Sequence, residues 1–284
     1  MSVVYLNGEF LPKEKAMIPV DDRGFNFGDG IYEVVRVIEG QLFAWDAHAA
    51  RMANGLDGLR ISGGGAESAT LRSVCERLVK ENGLGSGEAT VYLQVTRGAA
   101  PRVHHFPAAN TPTTIFGSSS RFTPNLAMRR DGAKGITLAD IRWSRCDLKT
   151  VNLLGAVLAR QAAQEAGAYE AIFHRDGMVT EGAATNAFMV VDGVLRTYPL
   201  SHYILPGITR AEIVSRTREL GITLEERPVS LRDLPQVDEL FVCGTTTDVQ
   251  PIIELDGKLI ADGKPGPITV RLRDALAKHL YGKG

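Results

Sequence analysis

Lys149, in the run RCDLKTVNLLG, stands at the head of an apolar helical pattern. Packing there strips water from an ammonium group and makes its proton easier to lose. A lysine neutral near working pH can attack an aldehyde and form a Schiff base. Glu181, in MVTEGAATN, lies where a strand runs into a turn of small residues. A carboxylate so placed can face a pyridinium nitrogen and keep its proton in place, so that the ring draws electrons. In LPGITRAE at 205–212, Gly207 lets an anion approach the backbone, and the amides of Ile208 and Thr209 open a helix, an arrangement suited to phosphate. Thr209 and Thr245, the first of three consecutive threonines, add hydroxyls, and Arg51 can pair with the phosphate charge. Each piece alone has an ordinary alternative: a lysine with a buried stem, a carboxylate near a helix N-terminus, a capped helix, a threonine turn, a surface arginine.

The elements that must position these residues alternate between strand and helix without a fixed repeat. VVYLN and FLP, then Ile38 to Phe43, read as short strands joined by Asn-Gly and Glu-Gly turns. Asp46 is the expected cap of a helix through DAHAARMANGLDGL, followed by the turn SGGGAES and an amphipathic helix in ATLRSVCERLVKENG. EATVYLQVTRG and TPTTIFGSS are strands. The serines and proline of SSSRFTPN at 118–125 mark a linker. Beyond it GITLADIRW reads as a strand and 150–166 as a helix, YEAIFHRDGMVTEG and NAFMVVDGVLRTY as hairpins, GITRAEIVSRTRELG as a helix and DELFVCGTT as a buried strand. The pattern predicts two α+β domains: 1–119, a linker at 120–124, and 125–284.

The totals narrow the chemistry. A chain of 284 residues with 44% apolar and 23% charged residues has ordinary globular composition and length for two domains. Its net charge of -1, from 32 basic and 33 acidic residues, gives no reason to expect nucleic acid or an anionic membrane. Cys75, Cys146 and Cys243 form no CxxC pair, and no metal site is expected; His104-His105 lacks matching ligands. GLGSG at 83–87 precedes a strand and lacks the dinucleotide-binding spacing. No GxSxG, HExxH or GxxxxGK[ST] is present. Glu9 and Lys13 interrupt the opening before any run of signal-peptide length, and no stretch approaches a membrane span, so a cytoplasmic protein is expected.

Taken in order, the pieces resemble the fold type IV pyridoxal-phosphate (PLP) transaminases, and within them the bacterial D-amino acid transaminases. The resemblance rests on DDRGFNFGDGIYEVVRV at 21–37, VTRGAAPRVHHFP at 95–107 and DIRWSRCDLKTVNLLGAVLA at 140–159. It continues through EAIFHRDGMVTEGAATN at 170–186, LPGITR at 205–210 and DELFVCGTTTDVQP at 238–251. It implies a smaller N-terminal α/β domain and a larger PLP-binding domain. It implies that Lys149 forms the Schiff base with PLP, that Glu181 pairs with the pyridine nitrogen, and that Arg51, Gly207, Ile208, Thr209 and Thr245 hold the phosphate. Tyr32, Arg102 and His104 match a substrate-carboxylate trap whose arginine and histidine come from the other subunit of a homodimer, with the active site shared between chains. The reaction implied is ping-pong transfer of an amino group from a D-amino acid such as D-alanine to a 2-oxo acid such as 2-oxoglutarate.

This chain departs from the family pattern at Ala183, Ala184 and Gly244, where serines are expected. The rival readings are a branched-chain L-amino acid transaminase, an aminodeoxychorismate lyase, an R-selective amine transaminase and a non-catalytic PLP carrier. The first leaves Arg102 and His104 without a reason, and the last leaves Lys149 and Glu181 without one.

Overall fold

The computed structural model describes residues 2–62 and 64–282, which form two compact units. Unit 1 holds Met1–Thr123 together with Leu148–Leu153; unit 2 holds Pro124–Asp147 and Leu154–Gly284.

Unit 1 contains strands β1 (Val3–Leu6), β2 (Glu9–Pro12), β3 (Gly30–Ile38), β4 (Gln41–Leu42), β5 (Glu88–Thr96) and β6 (Thr114–Arg121). They form one sheet in the order β2-β1-β6-β5-β3-β4, every pairing antiparallel. Its helices are α1 (Arg23–Phe27), α2 (Trp45–Gly58) and α3 (Ser68–Glu81). Leu71, Val74, Cys75, Leu78 and Val79 are buried at helical spacing on α3 and pack with the alternating row Ala89, Val91, Leu93 and Val95 of β5. Each large aliphatic side chain so buried contributes about 1.5–3 kcal/mol. The matching row of β3 reads Ile31, Glu33, Val35, Val37, so one carboxylate is placed in an otherwise apolar line.

Unit 2 contains strands β7 (Ala133–Ala139), β8 (Glu170–Arg175), β9 (Met178–Gly182), β10 (Asn186–Val191), β11 (Val194–Thr197), β12 (Leu224–Glu225), β13 (Glu239–Gly244), β14 (Asp248–Leu255) and β15 (Lys258–Leu259). The main path runs β12-β11-β10-β13-β14-β7-β8-β9, and β9 pairs back onto β10 through Glu181 and Asn186. Six strands therefore close into a ring, and the closing pair includes a predicted site residue. Helices α4 (Leu126–Asp131), α5 (Leu154–Glu165), α6 (Ile208–Glu219) and α7 (Pro267–Tyr281) complete the unit. Phe188 and Phe241 stack face to face in its core, their centroids 5.0 Å apart. Among the described residues no helix is long and apolar enough to cross a membrane.

Several expectations need correction. Residues 118–121, read as the start of a linker, end β6 and pair with β5 from Tyr92 to Ala89. Serine-rich composition resembles a loop, but β5 supplies the partner for these backbone groups. The 150–166 helix begins only at Leu154. Before it, Thr150 bridges Ile31, the Tyr32 amide donates to the Lys149 carbonyl at 2.9 Å, and the Val151 amide donates to the Gly30 carbonyl at 3.0 Å. Leu148–Leu153 thus lines the edge of β3 and belongs to unit 1, whereas a division at 120–124 puts it in the second domain. Asp46 is not the cap of α2: the helix starts at Trp45 after a left-handed Ala44, and Asp46 lies in the first turn, where its charge still favours the helix dipole. Gly63 of the SGGGAES turn lies outside the described residues.

Candidate functional site

In unit 1 the edge segment places Lys149 beside β3. Its Nζ lies 4.3 Å from the centroid of the Tyr32 ring, and that ring stacks on Tyr92 at 5.6 Å. The lysine is half-buried rather than packed into a helix. On the core-facing row, Glu33 is 1% exposed and receives three bonds. Arg51 donates through Nε and a terminal nitrogen, both at 2.7 Å, and His48 donates through Nδ1 at 2.7 Å. Burial pushes the Glu33 carboxyl up, but the hydrogen bonds and charges of Arg51 and His48 outweigh it and hold it at about 2. Burial drives His48 below its ordinary value; the charges of Arg51 and Lys149 add to that, against the pull of Glu33.

Arg102 and His104 lie exposed on the loop that follows β5. Both rest on Phe27 at the end of α1: the Arg102 guanidinium lies 5.2 Å from the ring centroid and the His104 ring 5.8 Å. No hydrogen bond or ring contact joins either to Tyr32 among the described residues.

In unit 2, Glu181 is 2% exposed and its two oxygens are both engaged. Arg142 donates to Oε1 at 2.8 Å, while the Asn186 carboxamide and the Leu205 amide donate to Oε2 at 3.0 Å each. Arg142 is oriented in turn by two side-chain bonds to Asp140, each at 2.9 Å. Burial pushes the Glu181 carboxyl up to about 7 against the charge of Arg142 and the Leu205 amide. Asn186 also donates to the Leu205 carbonyl at 2.9 Å, so it ties the carboxylate to the loop that starts α6.

That helix begins at Gly207 with no side-chain cap, and Ile208 and Thr209 form its buried first turn. Its opening amides and positive end suit an anion. A Cβ on Gly207 would overlap Asn186 Oδ1. The Gly207→Ala variant should therefore shift either Asn186 or the helix start, weakening a phosphate ligand about tenfold or more at a stability cost of about 1–3 kcal/mol. Equilibrium titration with PLP checks this; an unchanged dissociation constant would remove the helix start from the residues expected to hold the phosphate.

Thr245 follows β13 in a turn braced by its neighbours. Arg129 pairs with Asp248 and donates to the Thr246 carbonyl at 2.8 Å, and Tyr169 meets Thr247 at 3.0 Å between oxygens. At Gly244 a Cβ would meet only ordinary contacts, the nearest at 3.6 Å, so crowding does not explain the missing serine.

The sequence reading missed Glu33, His48, Asp140, Arg142 and Asn186. His48 and Arg51 share a helical face at a spacing of three, and Glu33 interrupts an apolar strand row, so those three had a local signal. Arg142 and Asn186 reach Glu181 only through strand pairing and loop geometry.

Residues 30–255 match the family model of amino-transferase class IV. The chain is 40% identical over 280 residues to the D-alanine aminotransferase of Bacillus licheniformis, covering 99% of this chain and 98% of that one. It is 39% identical over 282 residues to the D-alanine aminotransferase of Staphylococcus aureus (strain N315), with the same coverage. Among solved structures it superposes on the branched-chain amino acid aminotransferase of Escherichia coli with a TM-score of 0.90 at 25% identity, covering 99% of this chain and 95% of that one. The T.th. branched-chain amino acid aminotransferase with pyridoxamine 5'-phosphate gives a TM-score of 0.90 at 26% identity, covering 100% of this chain and 95% of that one.

Proposed function

The chain belongs to the class IV amino-transferases, and from that premise we propose that it moves an amino group between a D-amino acid, D-alanine first among them, and a 2-oxo acid. It is a PLP-dependent aminotransferase with the fold type IV architecture. The donor set of unit 2 fits that cofactor: burial disfavours the Glu181 anion, which a cationic ring nitrogen would stabilise, and an uncapped helix start suits a phosphate. When bound, PLP supplies an aldehyde for the amino group and a ring that accepts electrons.

The chain's residues divide the remaining work. Lys149 Nζ would hold the cofactor through its aldehyde and, once the substrate's amine has displaced it, its free amine would carry the proton taken from the substrate Cα. Glu181, held by Arg142 and Asn186, would face the ring nitrogen and favour its protonated form. Gly207, Ile208, Thr209 and Thr245 receive the phosphate, and Arg51 adds a guanidinium already oriented by Glu33. Tyr32, Arg102 and His104 hold the substrate carboxylate, for which a guanidinium fork and neutral donors are well matched.

The observation that carries the D-specific reading is the pairing of Arg102 and His104 on one exposed loop against Phe27. Because no hydrogen bond or ring contact joins either to Tyr32 among the described residues, the reading includes a homodimer in which this loop serves the other chain's site. Exposed apolar faces support a second copy: Met17, Val20 and Phe25 in unit 1, and Leu154, Val157 and Leu158 along α5 in unit 2. Cytoplasmic residence completes the proposal, and three free, buried cysteines suit a reducing compartment; recovery in another cell fraction would overturn that part.

With PLP and 2-oxoglutarate present, D-alanine should be converted to its keto acid and L-leucine should not, in a preparation that sediments as a dimer. The fold is shared with branched-chain enzymes, so turnover of L-leucine alone would keep the Lys149 chemistry and overturn the carboxylate trap. A monomer fully active on D-alanine would overturn the shared site.

A further inference from the structure

We propose that Arg23 and Phe27 are positioning residues for the substrate-carboxylate loop, with Asp29 as their anchor; the inference rests on the role given above to Arg102 and His104. Arg23 is 3% exposed, yet its guanidinium reaches the backbone of an exposed segment. It donates from Nε to Asp29 Oδ2 at 2.8 Å, from Nη1 to the Val103 carbonyl at 2.7 Å, and from Nη2 to the His104 carbonyl at 3.4 Å. The two carbonyls bracket His104, so the guanidinium fixes the backbone on both sides of that residue. A planar fork with five N–H donors in fixed directions is well suited to hold two carbonyls and a carboxylate at once.

Neutralising Asp29 does not explain this arginine. Arg97 already grips both Asp29 oxygens, at 2.8 and 3.0 Å, and donates further from Nη2 to the Leu59 carbonyl and from Nη1 to the Arg60 carbonyl. Burying a second guanidinium carries a desolvation cost, and here its further bonds go to the loop. Phe27 adds a shared floor. Its ring lies under the Arg23 guanidinium at 4.7 Å, the Arg102 guanidinium at 5.2 Å and the His104 ring at 5.8 Å. The start of the loop is fixed as well: the Arg23 amide donates to the Gly98 carbonyl at 2.9 Å and the Ala100 amide to Asp21 at 3.2 Å. Gly98 itself has φ +88, and a Cβ there would strike the Pro112 carbonyl, so the chain enters the loop in one direction.

An exposed loop left to itself samples many conformations, and a carboxylate fork works only when its donors are held in place. The clamp acts on substrate binding and leaves the Lys149 chemistry alone.

The test compares Arg23→Met, Phe27→Leu and Phe27→Tyr with the wild-type PLP-loaded enzyme. Arg23→Met leaves Asp29 paired with Arg97, and Phe27→Leu leaves every bond of Arg23 in place, so each probes the loop by a different route. Both should raise the KM for D-alanine about tenfold or more with little change in kcat, the signature of lost binding rather than lost chemistry. The inhibition constant of propionate, a bare carboxylate, should rise in step. The PLP dissociation constant should stay at the wild-type value, and Phe27→Tyr should restore KM. Wild-type KM and propionate inhibition in both variants, or a fall in kcat with no change in KM, would overturn the clamp. A wild-type enzyme that does not use D-alanine would instead overturn the functional reading on which it rests.

Discussion

Replacing Lys149 with alanine should cut transamination by about 10³-fold or more, since one group is asked both to hold the cofactor and to move the Cα proton. The loss would be chemical rather than structural. The carbonyl of residue 149 receives the Tyr32 amide and its neighbour Thr150 bridges Ile31, and alanine keeps both backbone features. The deleted side chain is half-buried and lies over the Tyr32 ring, so its removal leaves no buried charge without a partner. Two readouts separate this role from that of a nearby cation. Borohydride treatment of the PLP-loaded wild type should attach the cofactor to Lys149, while the variant should release it on denaturation. Added methylamine should restore part of the proton transfer, because a free amine can replace the missing base. Wild-type turnover in Lys149→Ala would sink the assignment, and reductive attachment at another lysine would move it.

What could be read from the chain before folding depended on how local each cause was. Lys149 and Glu181 stood out from their own neighbours, and the proposed phosphate loop from a glycine at a helix start. The reason given for Lys149 was partly wrong, since it precedes the helix and lies on the edge of β3. Thr150 and Val151 are β-branched and suit that extended edge, but their partner strand lies more than a hundred residues earlier. The serines at 118–120 misled in the same way, because pairing with β5 overrode loop-like composition. Glu33 was legible in principle, as a charge in an apolar alternating row. Arg142 was not: it meets Glu181 because β8 and β9 form a hairpin beside β7 and the ring then closes between Glu181 and Asn186. No spacing rule along the chain encodes that meeting. Fold type and the proposed reacting groups are legible in local pattern, whereas the groups packed around them come from tertiary closure.

Glu181→Gln should separate the catalytic and structural consequences of that closure. Without an anionic partner the ring nitrogen loses its proton more readily, and turnover should fall about 10²–10³-fold, the usual scale for removing one preorganised electrostatic contact. The cofactor-free protein should respond differently. Burial raises the carboxyl from its ordinary 4.5 to about 7, so the folded chain binds this proton more tightly than the unfolded chain does. The stabilisation that follows is fully present below pH 4.5 and is lost as pH rises through about 7, a change of roughly 3 kcal/mol from this one group. Glutamine does not titrate, so the variant should lack that part of the decline. Its gain at pH 8 should stay below the full amount, because a carboxamide presents one oxygen where the carboxylate presented two to Arg142, Asn186 and Leu205. Denaturant titrations of the cofactor-free wild type and variant across pH 4 to 8, set beside turnover of the loaded enzymes, check both effects. Parallel pH profiles would show that folding leaves the Glu181 carboxyl at its ordinary value, the charge of Arg142 and the donated bonds offsetting burial. Undiminished turnover would show that the ring nitrogen does not depend on it.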